Sequence, residues 1–180
     1  MGLFSDHSSA VEILEVRLPG DLDSVRRLWT DYLIWGNDQM QVLYGVHPHH
    51  PEEQVEQDIE MIDKFLPPHG FLFLAFADNK ACGIGCLKSI DEEIAEVKRM
   101  FVDPSFRKMG AGKAILQSLI NAAKKKGYHR LRLDSPKFME AAHALYRSFG
   151  FKEIPVYPEV EIPEEFRQYL LFMELDLSKN

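Results

Sequence analysis

Between Arg107 and Lys113 the chain reads R-K-M-G-A-G-K, two adjacent cations and two glycines set just before a segment with helical apolar spacing. Glycines let a backbone approach a ligand closely. The first amides of a helix lack partners within it and the helix dipole adds positive charge, so such a stretch suits a phosphate. Arg107, Lys108 and Lys113 would add charge-assisted contacts. Two phosphate classes are excluded by residue type. A nucleoside-triphosphate loop needs G-x-x-x-x-G-K-S/T, but Arg107 stands at its first glycine and Ala114 at its metal-binding hydroxyl. A dinucleotide fingerprint needs a third glycine where Ile115 stands, and no acid follows at the right distance on a second parallel strand. What remains is R-x-x-G-x-G, a pattern that also occurs in ordinary basic loops in front of helices.

Other chemistry-bearing residues are sparse. Cys82 and Cys86 are the only cysteines, and their C-x-x-x-C spacing matches neither a redox pair nor a zinc knuckle. On one strand they share a face, which fits burial as small apolar side chains. The run His47 to His50, H-P-H-H, has no Asp, Glu or Cys partner at metal-ligand spacing, so no metal is expected.

The elements that must position the loop can be read from periodicity. Residues 11–18 alternate like a half-buried strand, and residues 22–35 carry apolar positions at helical spacing after a potential N-cap, Asp21. A loop through the histidines leads to a second helix that starts at Pro51. Residues 71–77 and 81–90 flank the hairpin signal D-N-K, and residues 94–102 add a third strand. The glycine loop then opens a helix over 111–126, closed by Lys124 to Lys126 and Gly127. A strand over 128–134, a helix with Ser135 as N-cap and Pro136 at its first position, and strands over 151–157 and 169–177 complete the chain. This order suggests an α/β domain of three layers around one central sheet, a single domain over residues 1–180.

The 180 residues carry a formal charge of −7, with 21 Lys and Arg against 28 Asp and Glu. That field repels nucleic acid and confines any anion site to a local patch. The start of the chain lacks the basic and apolar regions of a signal peptide, and no run reaches the ~18 apolar residues of a membrane span, so a cytoplasmic protein without a membrane partner is expected. The opening M-G-L-F-S-D resembles a myristoylation start only weakly, because Asp6 stands where Ser or Thr is wanted.

The segment from Glu96 to Tyr157, containing the loop and "ALYRSFGF" at Ala144 to Phe151, resembles the GCN5-related N-acetyltransferase (GNAT) family. The resemblance implies the acyl-CoA N-acyltransferase fold: α/β/α layers and a mixed, mostly antiparallel sheet splayed between its fourth and fifth strands. It implies acetyl-CoA as co-substrate, with its pyrophosphate held by Arg107, Lys108, Met109, Gly110, Ala111, Gly112 and Lys113, and its pantetheine by backbone groups of Met100, Phe101 and Val102. Tyr146 matches the tyrosine that stands beside the coenzyme sulfur as general acid. Glu96 matches a strand glutamate that serves some members as base. From residue type alone, Tyr146 is equally a packed helix tyrosine, and Glu96 a glutamate paired with Lys98. Met139 departs from the asparagine many members carry there, and Ser135 or the adjacent backbone is the candidate to supply the lost coenzyme contact.

Acetyl transfer to an amine requires removal of a proton from the ammonium, stabilisation of an oxyanion and protonation of the leaving thiolate. By the same resemblance the acceptor enters between the first helices and the final strands, where Tyr32, Trp35, Tyr44, Glu159, Glu161, Glu164 and Glu165 suggest an acidic, aromatic rim for a cation. The expected activity is N-acetylation of a primary amine on a small molecule or peptide. The alternative is a non-catalytic acyl-CoA-binding or sensing module. A homodimer through the last strands is left open.

Overall fold

The computed structural model describes residues 10–48 and 50–178. The chain start with its myristoylation-like pattern, and His49 of the histidine run, lie outside them. Seven strands form one sheet in the order β1-β2-β3-β4-β5-β7-β6. They are β1 (Glu12–Glu15), β2 (Gly70–Ala77), β3 (Lys80–Ser89), β4 (Ile94–Val102), β5 (Arg130–Pro136), β6 (Lys152–Ile154) and β7 (Leu170–Asp176). All neighbours run antiparallel except β4 and β5. Helices α1 (Leu22–Tyr44) and α2 (Pro51–Glu60) cover one face, and α3 (Ala111–Lys126) and α4 (Glu140–Ser148) the other. The short α5 (Glu164–Arg167) interrupts the chain between β6 and β7. The three layers and the mixed sheet are those expected.

Each face has its own apolar core. Val25, Leu28, Trp29 and Leu33 of α1 pack on Leu72, Leu74, Ile84 and Phe101. Ile115, Leu116 and Leu119 of α3 pack on Leu87, Val97, Leu131 and Leu133. Gly85 lets α3 sit close, since a Cβ there would lie 2.5 Å from Ile115 Cγ2. The hairpin between β2 and β3 turns through Asp78 and Asn79, both with positive φ (50° and 60°), as a tight two-residue turn requires.

Three local expectations are corrected. First, α1 continues past Gly36 to Tyr44, because Leu33, Asn37 and Met40 extend its buried face beyond the glycine. Second, Asp21 does not cap α1; its carboxylate accepts from the Arg17 N–H at 2.7 Å. Third, Ser135 and Pro136 finish β5, opposite Leu171 and Leu170, and α4 begins only at Glu140. A proline is tolerated at a strand end, so its presence did not identify a helix start.

Two irregularities interrupt the regular pairing of β4. It meets β5 only at Ile94, Ala95 and Glu96, opposite Arg130, Leu131 and Arg132, after which the strands part. In addition, β4 carries one extra residue against β3: Ile84 faces Phe101 while Cys86 faces Lys98. The bulge includes Arg99 at φ 51°, an uncommon conformation for a side-chain-bearing residue and a marker of functional sites.

Candidate active site

Where β4 and β5 part, a cleft of about 690 Å³ opens between the end of β4, the start of α3 and α4. Met100, Phe101 and Val102 form one wall; Arg107, Lys108 and Gly110 to Lys113 form another. Gly110 adopts φ 85° and occupies the N-cap position of α3 with no side chain capping the helix. The first amides of α3 are thus directed to the cleft end rather than to a side-chain oxygen, which suits an anion. Arg107 holds its guanidinium over the Trp35 ring, 5.2 Å from its centroid. Met109 is 40% exposed and is the one residue of that predicted run that does not line the cleft. On the side facing β5, residues 97–102 have no strand partner among the described residues, so an extended ligand can pair with that edge.

Tyr146 stands on α4 at the opposite wall. Its ring is buried against Phe151, 5.8 Å between centroids, and its hydroxyl donates, among the described residues, only to Met100 Sδ at 3.9 Å. The tyrosine is therefore both a core residue through its ring and a cleft residue through its hydroxyl. Burial pushes its phenol well above the ordinary value of 10.0, and the charges of Tyr32 and Asp134 push it further. It holds its proton throughout the neutral range and can give it to a thiolate.

Glu96 is 0% exposed and lines neither this cleft nor the smaller pocket beside it. Its Oε1 accepts from the Tyr157 hydroxyl at 2.6 Å and lies 3.2 Å from Lys98 Nζ. Its Oε2 has no hydrogen-bond partner among the described residues and is 3.8 Å from Lys88 Nζ. Burial raises its pKa, with Lys98 and the Tyr157 bond pulling the other way. Lys98 Nζ in turn donates to Asp134 Oδ2 at 2.9 Å, so a charged chain links buried Glu96 to the gap between the strands. Lys88 is the register partner of Glu96 on β3, whereas Tyr157 and Asp134 are distant from it in sequence, and only the face shared by alternate positions of β3, β4 and β5 hinted at the grouping of Lys88, Lys98 and Asp134.

The acetyltransferase (GNAT) family model matches residues 24–151. The chain belongs to that family. An uncharacterized N-acetyltransferase of Schizosaccharomyces pombe is 29% identical over 175 residues, covering 95% of this chain and 98% of that protein. The PaiA N-acetyltransferase of Thermoplasma acidophilum, solved in complex with coenzyme A, superposes with a TM-score of 0.70 at 20% identity, over 93% of this chain and 99% of that one. YncA of Salmonella typhimurium, solved with its cofactor acetyl-CoA, gives 0.66 at 16% identity, over 95% and 96%. These likenesses confirm the GNAT fold, and with the named relatives they mark the chain as an acyltransferase.

Beside the cleft of this GNAT protein lies a smaller pocket of about 70 Å³, under α1 and the segment that contains α5. Tyr32, Arg99 and Asp134 line it with apolar residues, and Met139 lines both spaces. The acidic rim expected from the sequence does not form there. Glu159 pairs with Arg132 at 3.1 Å and Glu161 with Lys88 at 2.6 Å, while Tyr44 stacks on Tyr169. Trp35 belongs to the cleft wall and Tyr32 to the pocket. Ser135 lines neither: its buried hydroxyl lies 3.1 Å from His143 Nε2 and 3.6 Å from Met139 Sδ. Arg99 and its partner Asp58 were missed from sequence because their ion pair spans 41 residues. Among the described residues no group of three or more His, Cys, Asp or Glu is arranged to hold a metal, and no helix is long and apolar enough to cross a membrane.

Proposed function

We propose that this chain is an acetyl-CoA-dependent N-acetyltransferase, a single domain over residues 1–180. It moves the acetyl group to a primary amine of a small molecule or peptide by direct attack in a ternary complex. The observation that carries this reading is the adjacency of two spaces at the parted strands: an amide-lined cleft ending at Tyr146, and a separate pocket that shares Met139 with it. A donor and an acceptor can be held at once, which converts the transfer into an intramolecular event.

In this reading Arg107, Lys108 and Lys113, with the amides of Met109 to Gly112, hold the pyrophosphate. The backbone of Met100, Phe101 and Val102 pairs with the pantetheine and supplies an N–H to the developing oxyanion. Tyr146 protonates the departing thiolate. Glu96 acts as base at a distance, drawing the ammonium proton through Asp134 and Lys98 or through water, since it lines neither space itself. That same enclosure favours the second reading, an acyl-CoA-binding or sensing module without turnover. One assay separates them: free-thiol release with acetyl-CoA and a panel of amines. Release that depends on an amine supports the transferase. Calorimetric binding of acetyl-CoA without release supports the sensor, and absence of binding refutes both.

A further inference from the structure

We propose that the smaller pocket takes the zwitterionic head of a free α-amino acid with a short apolar side chain, its carboxylate at Arg99 and its ammonium at Asp134. This assignment rests on the transferase reading and names its acceptor class. The two charges face one small space whose other walls are Leu33, Met40, Ile162 and Phe166. Each is fixed from behind and keeps capacity in front. The Nε and Nη2 groups of Arg99 are both spent on Asp58 Oδ2, at 2.9 and 2.7 Å. Its Nη1 has no partner among the described residues, and a carboxylate is the natural acceptor for it. Asp134 gives Oδ2 to Lys98 Nζ at 2.9 Å, and its Oδ1 has no partner among the described residues.

The charge count favours a zwitterion over a polycation. Arg99 is balanced by Asp58 and Asp134 by Lys98, so the wall is neutral overall and offers one positive and one negative contact. The nearby glutamates that would attract a polyamine, Glu159 and Glu161, are already paired with Arg132 and Lys88. About 70 Å³ is several waters' worth and about half of an apolar cavity that holds benzene, which limits the enclosed part of an occupant to little more than its charged head. The bulge at Arg99 acquires a purpose in this arrangement, since it turns the guanidinium into the pocket instead of leaving it in the regular strand alternation. Met139 lines both spaces, so an amine held in the pocket adjoins the cleft that Tyr146 lines.

The step balances simply. The amine nitrogen bonds to the acyl carbon as the carbon–sulfur bond breaks. The ammonium gives up two protons in all: one replaces that bond on sulfur through Tyr146, and the other passes by Asp134 and Lys98, or through water, to Glu96 and from there is released. The products are the N-acetylamino acid, the free thiol and one released proton.

The test compares L-valine, L-valinamide and isobutylamine as acceptors with acetyl-CoA. The free acid is expected to exceed both others in kcat/KM by about ten- to a hundred-fold, the loss typical of an unpaired charged hydrogen-bonding group. Arg99→Gln is expected to bring the valine-to-valinamide ratio close to one, and Arg99→Lys to retain part of it. Because the ratio is internal to each variant, partial misfolding lowers both rates without mimicking the effect. Turnover of valinamide or isobutylamine at least as fast as valine overturns the proposal and leaves the transferase intact. If acetyl-CoA binds and no acceptor turns over, the transferase reading fails, and the pocket is judged by thermal shift with coenzyme A bound. A saturable rise with L-valine and none with L-valinamide supports it; equal rises or none overturn it.

Discussion

Replacement of Tyr146 by phenylalanine separates a chemical role from a packing role. The phenyl ring keeps the contact with Phe151, and among the described residues the lost hydroxyl has only a thioether at 3.9 Å as partner. A sulfur at that distance is a weak acceptor, so the stability change is expected to stay below about 1 kcal/mol. The chemical loss is larger. A general acid contributes about 10²- to 10⁴-fold, and a thiolate whose conjugate acid has a pKa near ~8.5 already leaves fairly well, which places the effect near the lower end. A fall of about a hundred-fold in kcat, or about 2.7 kcal/mol in the barrier, is predicted with an unchanged melting temperature. The measurement is thiol release under saturating acetyl-CoA beside a thermal melt. Since burial raises the phenol above 10.0, the acid stays protonated below pH 10, and the wild-type rate should show no loss from Tyr146 up to that point. A variant with normal melting and turnover within about twofold of wild type would refute the acid role.

Glu96→Gln should lower kcat by about ten- to a hundred-fold and abolish the rise of rate with pH. Because burial raises the carboxyl, that rise is expected above 4.5, and its persistence in the variant would move the base elsewhere. Gly112→Ala should fold normally, since a Cβ there meets nothing nearer than Leu145 Cδ2 at 3.6 Å, yet raise the acetyl-CoA KM about tenfold by placing a methyl in the cleft; calorimetry checks the affinity. His143 is buried and its pKa lies below 6.5, chiefly through burial and then Arg147. Its stabilising effect is complete above pH 6.5 and is lost as pH falls through the folded value, so melting temperature should decline on acidification and decline less in His143→Gln.

The cleft was legible because its signals are local. Two glycines, a preceding strand and a following amphipathic helix occupy consecutive residues, and the structure assembles them in that order around one cleft. The smaller pocket and the charged chain beside it were not legible because their determinants are distributed. Arg99 owes its position to a bulge, and an arginine at positive φ leaves no compositional trace. Asp58, Asp134 and Tyr157 enter only when α2, β5 and the chain after β6 converge on β4. The acidic segment was read by its charge, whereas Ile162, Pro163 and Phe166, the residues between and beside those charges, are the ones that reach the pocket. Ser135 and Pro136 carried two helix-start signals that tertiary pairing with β7 overrode.

The brief pairing of β4 with β5 also has a mechanical meaning. Three register pairs join a four-stranded half, β1 to β4, to a three-stranded half, β5 to β7, whereas β5 and β7 are held together by seven. The sheet is thus two plates on a short hinge, and an extended ligand lying beyond the hinge acts as a splint between them. Amide exchange at Ala95 and Leu131 should slow when the splint is in place, more than at the centre of either plate.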